Sequence, residues 1–273
     1  MTILVTGTNG FMGSHLVKAL KKMNHEVISF RGDISKKVNL KISPKIDVVI
    51  HLASVINKRN KNIYNEVNIR GTKNIIEFCK ENNAGRFIFL SSIKVLSSLN
   101  DPYAVSKREA EKIVTGSGLP YIILRPSMIY GPGDKKNLGF LLKIAKFTPL
   151  MPLLNFRLQP IFVDDIIKII VACFNLHPGQ VFNIVGPETI SFENLLKTIK
   201  SLRYKFFIIS MPSFFSFIIK LFSFLPFSPL TPWQVKSLFS DEIFDGCAWS
   251  EIFSVKPTLF SQGLSKTIYT NYV

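Results

Sequence analysis

The pattern of apolar and polar positions changes period repeatedly along the first 185 residues. Ile3 to Thr6 is an apolar run too short for a helix, whereas "FMGSHLVKALKKM" places Phe11, Leu16, Ala19, Leu20 and Met23 near helical spacing, and "EVISF" returns to a strand-like run. The alternation continues through "IDVVIHLAS" (strand), "YNEVNIRGTKNIIEFCKENN" (helix), "RFIFLSS" (strand), "DPYAVSKREAEKIV" (helix) and "PYIILRPS" (strand). Strands this apolar on both faces, separated by helices, predict an α/β fold whose parallel sheet is covered on both sides. No internal repeat or low-complexity linker interrupts the pattern.

Length and composition narrow this picture. With 273 residues, 47% of them hydrophobic, the chain can bury a large core, as one large domain or a domain with a small lobe. The formal charge of +16 comes from scattered lysines rather than a basic stripe interleaved with aromatics, so nucleic acid is not the expected partner and a diphosphate-bearing small molecule fits better. Cys79, Cys173 and Cys247 are odd in number and far apart, as expected of reduced thiols in a cytoplasmic protein. His15, His25, His51 and His177 lack metal-ligand spacing, so no metal site is expected. "MTILVTGTNG" runs from strand directly into a glycine loop with no leader pattern, so the fold is expected to start at about residue 1.

Two local patterns carry candidate chemistry. Gly7, Gly10 and Gly13 fall between the first strand and the first helix, where glycine permits a tight turn and lets backbone N–H groups approach a pyrophosphate at a helix N-terminus. Tyr103 and Lys107 stand four apart on a helix that Asp101 would cap, with Pro102 at its first position, so their side chains share one face; Ser92 closes the preceding strand.

In order, "TGTNGFMGSHL", "HLAS", "VNIRGTKNII", "FIFLSS", "YAVSK", "LRPSMIYGPGD", "FVDDI" and "VFNIVGPETIS" resemble the motifs of the extended short-chain dehydrogenase/reductases, in their nucleotide-sugar epimerase, dehydratase and reductase branch. The resemblance covers roughly residues 2 to 200. It implies a Rossmann-type doubly wound parallel sheet, with a dinucleotide-binding domain over residues 1–155, residues 160–185 returning to the sheet, and a small C-terminal substrate lobe over residues 186–273. It also implies that Tyr103 is the general acid/base, that Lys107 lowers the Tyr103 pKa and holds the nicotinamide ribose, and that Ser92 hydrogen-bonds the reacting oxygen of the substrate. The matching motifs put Gly7, Asn9, Gly10, Phe11, Met12, Gly13, Leu52, Ala53, Ser54, Asn68 and Pro126 around the cofactor together with Tyr103 and Lys107, and Tyr130 and Arg157 near the substrate.

Departures from the family pattern refine the expectation. Arg31 stands at the end of the second strand, where NAD-binding members present an aspartate. Pairing with a 2′-phosphate would favour NADP(H), with NAD(H) retained as the alternative through Asp33. Ile93 and Lys94 follow Ser92 in place of the Asp-Glu pair of the dehydratases, so dehydration is not expected. The reading is an NADP(H)-preferring reductase of a nucleotide-linked 4-keto-sugar, with a 4-epimerase holding NAD as the enzyme alternative and an idle dinucleotide-binding scaffold at a membrane as the non-enzyme one. Only ten residues separate Ser92 from Tyr103, so the loop that covers the sugar in most relatives is nearly absent.

Within "SMPSFFSFIIKLFSFLPF", residues 212–226 read as a helix with a narrow polar stripe of Ser213, Ser216, Lys220 and Ser223 on an otherwise apolar surface. It is too short to span a bilayer, and suits packing on the domain, a second copy of the chain, or peripheral contact with the inner membrane face. Asp164 and Asp165 are read as capping the helix that follows them.

Overall fold

A computed structural model describes residues 1–40, 45–202, 204–210, 214–225, 228 and 231–270. The chain forms two compact units, each built from separated stretches of sequence.

The first unit comprises Met1–Pro126, Val163–Ile184 and Gly246–Lys256. Its centre is a six-stranded sheet of β1 (Thr2–Thr6), β2 (Glu26–Phe30), β3 (Val48–His51), β4 (Arg86–Leu90), β5 (Tyr121–Pro126) and β6 (Gln180–Ile184), in the spatial order β6-β5-β4-β3-β1-β2. Every pairing is parallel, with Leu4 opposite Ile28, Val5 opposite Ile50, Ile50 opposite Ile88, Leu90 opposite Leu124 and Ile184 opposite Pro126. Between these strands run α1 (Phe11–Lys22), α2 (Gly71–Glu81), α3 (Pro102–Thr115) and α4 (Val163–Ala172). Alternate strand residues serve opposite faces. Leu4, Val49, Phe87, Phe89 and Ile123 pack against Ile75 and Cys79 of α2 and Ala110 and Val114 of α3, while Ile3, Val5, Ile50, Ile88 and Ile122, all fully buried, point to the other face. The strand pattern predicted this parallel sheet covered on both sides, and the family resemblance its doubly wound form.

The strand order places the site. Strand β1 lies inside the sheet next to the edge strand β2, and the chain extends the sheet on one side through β2 and on the other through β3, so the connections leaving β1 and β3 part at their carboxyl ends. A crevice at such a switch point is where open α/β sheets bind ligands.

The second unit comprises Ser127–Phe162, Val185–Asp245 and Pro257–Val273. It contains helices Leu138–Phe147, Phe192–Ser201, Phe214–Phe222, Pro232–Phe239 and Phe260–Thr270, and small two-stranded ladders. Tyr130, Phe162 and Phe260 form its aromatic core, with ring centroids 5.4–5.5 Å apart. Of the apolar helix read at 212–226, Phe214–Phe222 is helical; Pro212, Ser213 and Pro226 lie outside the described residues, as does the side chain of Ser216.

Candidate active site

The loop from β1 into α1 is shaped by two glycines. Gly7 has φ +72°, and a Cβ there would lie 2.8 Å from the backbone nitrogen of Ala53; a Cβ at Gly13 would lie 2.2 Å from the Gly7 carbonyl oxygen. Side chains are therefore sterically excluded where the loop, the first turn of α1 and the end of β3 meet. Gly10 is the N-cap of α1 and offers no side-chain cap, and no acidic residue occupies the first turn, an arrangement that suits an anion at the positive end of the helix.

Beside this loop is a cavity of about 350 Å³. Its walls are Gly7 to Gly10 on one side, Phe30 to Ile34 after β2, and Leu52, Ala53, Ser54 and Val67 after β3. A loop whose glycines leave the backbone open at Gly7, Gly10 and Gly13, an uncapped helix start and a lining that runs from the end of β2 to the end of β3 fit a dinucleotide. Of the residues expected around the cofactor, Gly7, Asn9, Gly10, Arg31, Asp33, Leu52, Ala53 and Ser54 line this cavity, and Phe11, Met12 and Gly13 begin the helix behind it. Thr8 and Val67, which lie within the quoted motifs but were not singled out, line it too, as do Phe30, Gly32 and Ile34, which no motif announced. Arg31 is exposed. The Asp33 carboxylate accepts hydrogen bonds from the Ser35 backbone N–H and hydroxyl at 2.9 and 2.8 Å, which hold its pKa below the ordinary value.

A chain of hydrogen bonds runs from the cavity wall to α3. The Ala53 N–H donates to Thr6 Oγ1 (3.2 Å), Thr6 Oγ1 meets His51 Nδ1 (2.7 Å), and His51 Nε2 meets Thr72 Oγ1 (3.1 Å), which donates to the Asn68 carbonyl (2.6 Å). Because the Thr72 proton is committed to Asn68, His51 must donate from Nε2 and accept at Nδ1 from Thr6; one tautomer satisfies every partner. His51 is fully buried, and burial reinforced by Lys107 pulls its pKa down to about 3, so the ring is neutral. The Asn68 side chain accepts from the Val55 N–H (2.8 Å) and donates to the Ser106 hydroxyl (2.9 Å), which donates to the Tyr103 carbonyl (2.8 Å). Asn68 lies in a π-helical stretch, Asn65–Arg70, immediately before α2. Asn68, one of the residues expected at the cofactor, links the loop after β3 to the helix carrying Tyr103. The Thr6–His51–Thr72 part was missed, since its members are far apart in sequence.

Helix α3 starts as expected: Asp101 accepts from the backbone N–H groups of Tyr103 and Ala104 at 2.8 and 3.0 Å, with Pro102 in the first turn. This start brings Tyr103 within reach of Ser92, which lies just past the end of β4 and caps the short helical turn Ile93–Leu96. Burial pushes the Tyr103 phenol up to about 12; the Ser92 hydrogen bond opposes this, and Asp101 and Tyr64 add to it. One turn later Lys107 is buried, donates to the Leu90 carbonyl at 2.7 Å and lies 4.4 Å over the Phe89 ring. Its burial lowers its pKa to about 7, only partly offset by Glu111. Glu111 is itself held by the Arg125 guanidinium at 2.6–3.2 Å. The expected lowering of Tyr103 by Lys107 is not among the causes that move this phenol; the lysine charge acts on His51. Ser92, Tyr103 and Lys107 thus converge at the carboxyl end of β4, and Pro126 is buried at the end of the neighbouring β5.

The two residues expected near the substrate lie in the second unit. Tyr130 is fully buried and donates to the Phe260 carbonyl at 3.3 Å, so its hydroxyl faces the aromatic core. Arg157 forms an ion pair with Asp241 at 2.9 Å and donates its backbone N–H to the same carboxylate. Asp164 and Asp165 occupy the first turn of α4.

Comparison with known proteins agrees with this geometry. Residues 3–185 match the model of a family described as the NAD dependent epimerase/dehydratase family. A UDP-glucose 4-epimerase of Vibrio cholerae is 28% identical over 243 residues, 72% of this chain and 74% of that protein. A ceramide reductase of Caulobacter vibrioides is 32% identical over 191 residues, 62% of this chain and 60% of its own length. Among solved structures, a UDP-glucuronic acid 4-epimerase variant from Bacillus cereus, bound to UDP-4-deoxy-4-fluoro-glucuronic acid and NAD, superposes with a TM-score of 0.78 at 22% identity, covering 99% of this chain and 98% of that one.

Proposed function

Because this chain belongs to the NAD dependent epimerase/dehydratase family, enzymes of the extended short-chain dehydrogenase/reductase type, we propose that it is an NADP(H)-preferring reductase of a nucleoside-diphosphate keto-sugar. The observation that carries the reading is the convergence of Ser92, Tyr103 and Lys107 at the end of β4, together with the glycine loop after β1, where a Cβ at Gly7 or Gly13 would clash. A nicotinamide dinucleotide bound there supplies the hydride that the carbonyl carbon accepts.

The chain's own residues supply the rest. The glycine loop and the start of α1 hold the pyrophosphate, and Arg31 pairs with a 2′-phosphate. Lys107 holds the ribose beside the nicotinamide. Ser92 donates to the substrate carbonyl oxygen and orients it. Tyr103 gives that oxygen its proton as negative charge develops there, and the resulting phenolate is reprotonated from solvent. A phenol raised to about 12 is fully protonated at neutral pH, so the resting site holds the acid that reduction requires. The UDP sugars bound or used by several relatives support a nucleotide-sugar substrate.

The test begins with the absorbance of purified protein, followed by titration with NADPH and NADH under nicotinamide fluorescence and turnover of a UDP-4-keto-sugar. Exchangeable binding favouring NADPH, reversal of that preference by Arg31→Asp, and a loss of about 10²–10⁴-fold in kcat for Tyr103→Phe are expected, the last from the usual contribution of a general acid. Tightly retained NAD with interconversion of UDP-glucose and UDP-galactose would replace the reductase with a 4-epimerase. Binding of neither dinucleotide would leave only a scaffold.

A further inference from the structure

The second unit carries two exposed apolar surfaces. The first lies where strand Leu150–Leu153 pairs in parallel with strand Phe207–Ser210, bringing Phe207 opposite Leu150 and Ile209 opposite Pro152. Phe207 is 70% exposed, Leu150 50%, and Phe147, three residues before Leu150, 72%. The second is the outer side of helix Phe214–Phe222 and the turn after it. Ile218, Leu221 and Leu225 recur at spacing i, i+3, i+7 and all are exposed, Leu221 to 62%, with Phe224 at 70%. Ile218, Leu221 and Phe222 of this helix are exposed beside the exposed Lys220, whereas Ser223, in the turn after it, is buried and donates to the Lys220 carbonyl at 2.6 Å.

The charges around these surfaces indicate what covers them. Residues 138–156 and 193–242, which supply both surfaces, carry eight lysines and arginines, two in the first stretch and six in the second, against Glu193, Asp241 and Glu242, of which Glu193 pairs with Lys197 and Asp241 with Arg157. Lysines stand over the exposed rings, Lys146 5.8 Å from Phe147 and Lys200 5.9 Å from Phe207. A second copy of the same chain would set these cations against each other. An anionic lipid surface accepts both components, the aromatic and aliphatic side chains entering the headgroup boundary and the lysines meeting lipid phosphates. Among the described residues no helix is long and apolar enough to cross a membrane, so the contact is one of lying on the surface. We propose that the Phe147–Leu150–Phe207 edge and the outer stripe of helix Phe214–Phe222 form a docking surface for an anionic bilayer.

The test is flotation of the full chain with vesicles of phosphatidylcholine alone or mixed with phosphatidylglycerol, at low and high salt. Binding to the mixed vesicles is expected, weakening with salt, with little binding to phosphatidylcholine. Phe207→Ser and Leu221→Ser change exposed positions, and each should weaken partitioning by about tenfold or more, the worth of one buried large apolar side chain, with the circular dichroism spectrum and dinucleotide binding unchanged. Absence of binding by the unaltered chain would overturn the proposal without any variant. So would a concentration-dependent dimer, seen by light scattering and abolished by the same two substitutions, which would assign the surface to a second copy. Salt-independent binding to both kinds of vesicle would overturn the role given to the lysines.

Discussion

Burial moves Lys107 and His51 in the same direction, and both shifts become pH-dependent stability. Lys107 titrates at about 7 in the fold against 10.5 in the unfolded chain, so between these values the unfolded state binds more protons. The cost of the buried ammonium is complete below about 7, and stability rises with pH above it. For His51, about 3 against 6.5, the same inequality makes stability fall as pH falls from 6.5. The thiols Cys79 and Cys173, pushed from 9.0 up to about 12, act oppositely from 9 upward, and Tyr103 from 10. The window from pH 7 to 9 therefore isolates Lys107, with a slope of up to about 1.4 kcal/mol per pH unit. Thermal melts of dinucleotide-free protein should show Tm rising across this window, and Lys107→Met should flatten the rise; an unchanged slope in that variant would show that other groups produce it.

Among the elements, α3 concentrates the chemistry, and its start is fixed by one side chain. Asp101 satisfies two backbone donors and sets the first turn, on which Tyr103 sits. Asp101→Ala should cost about 1 kcal/mol of stability, the usual worth of an N-cap, and should also lower kcat by shifting Tyr103 relative to Ser92. Asp101→Asn, which caps as well, should restore both, and failure of that rescue would assign the effect to charge. The cap was readable as "DPY" because capping is local, and the strands were readable because a sheet covered on both faces needs unbroken apolar runs. The π-helical turn at Asn65–Arg70 was not readable: its periodicity merges with that of α2, and only the contacts of Asn68 distinguish it. Non-local contacts are the other part that the sequence could not supply. Nothing in "VVIH" marks the bonds of His51 to Thr6 and Thr72, and nothing near Arg157 marks its pairing with Asp241, 84 residues away.

At the scale of the whole molecule, neither unit is a continuous piece of chain, and this sets what can be removed. The family match ends at residue 185, yet the first unit also takes in Gly246–Lys256. That segment lies along β6, an edge of the sheet: the Cys247 N–H donates to the Asn183 carbonyl at 3.0 Å, and Phe253 packs edge-on to Phe182 with ring centroids 5.0 Å apart. An uncovered strand edge is a template for association with other chains. A chain ending at Asp245 would expose β6 and also lose Pro257–Val273 from the second unit, with Phe260 of its aromatic core. It should elute as aggregates in gel filtration and lack a cooperative melt, whereas the full chain with Cys247→Ser, which keeps the backbone bond to Asn183, should melt within a few degrees of the unaltered protein, as small changes at half-buried positions do. A monomeric, cooperatively folded 1–245 fragment would show instead that the sheet edge needs no cover and that the family-matched region is stable without the chain's final segment.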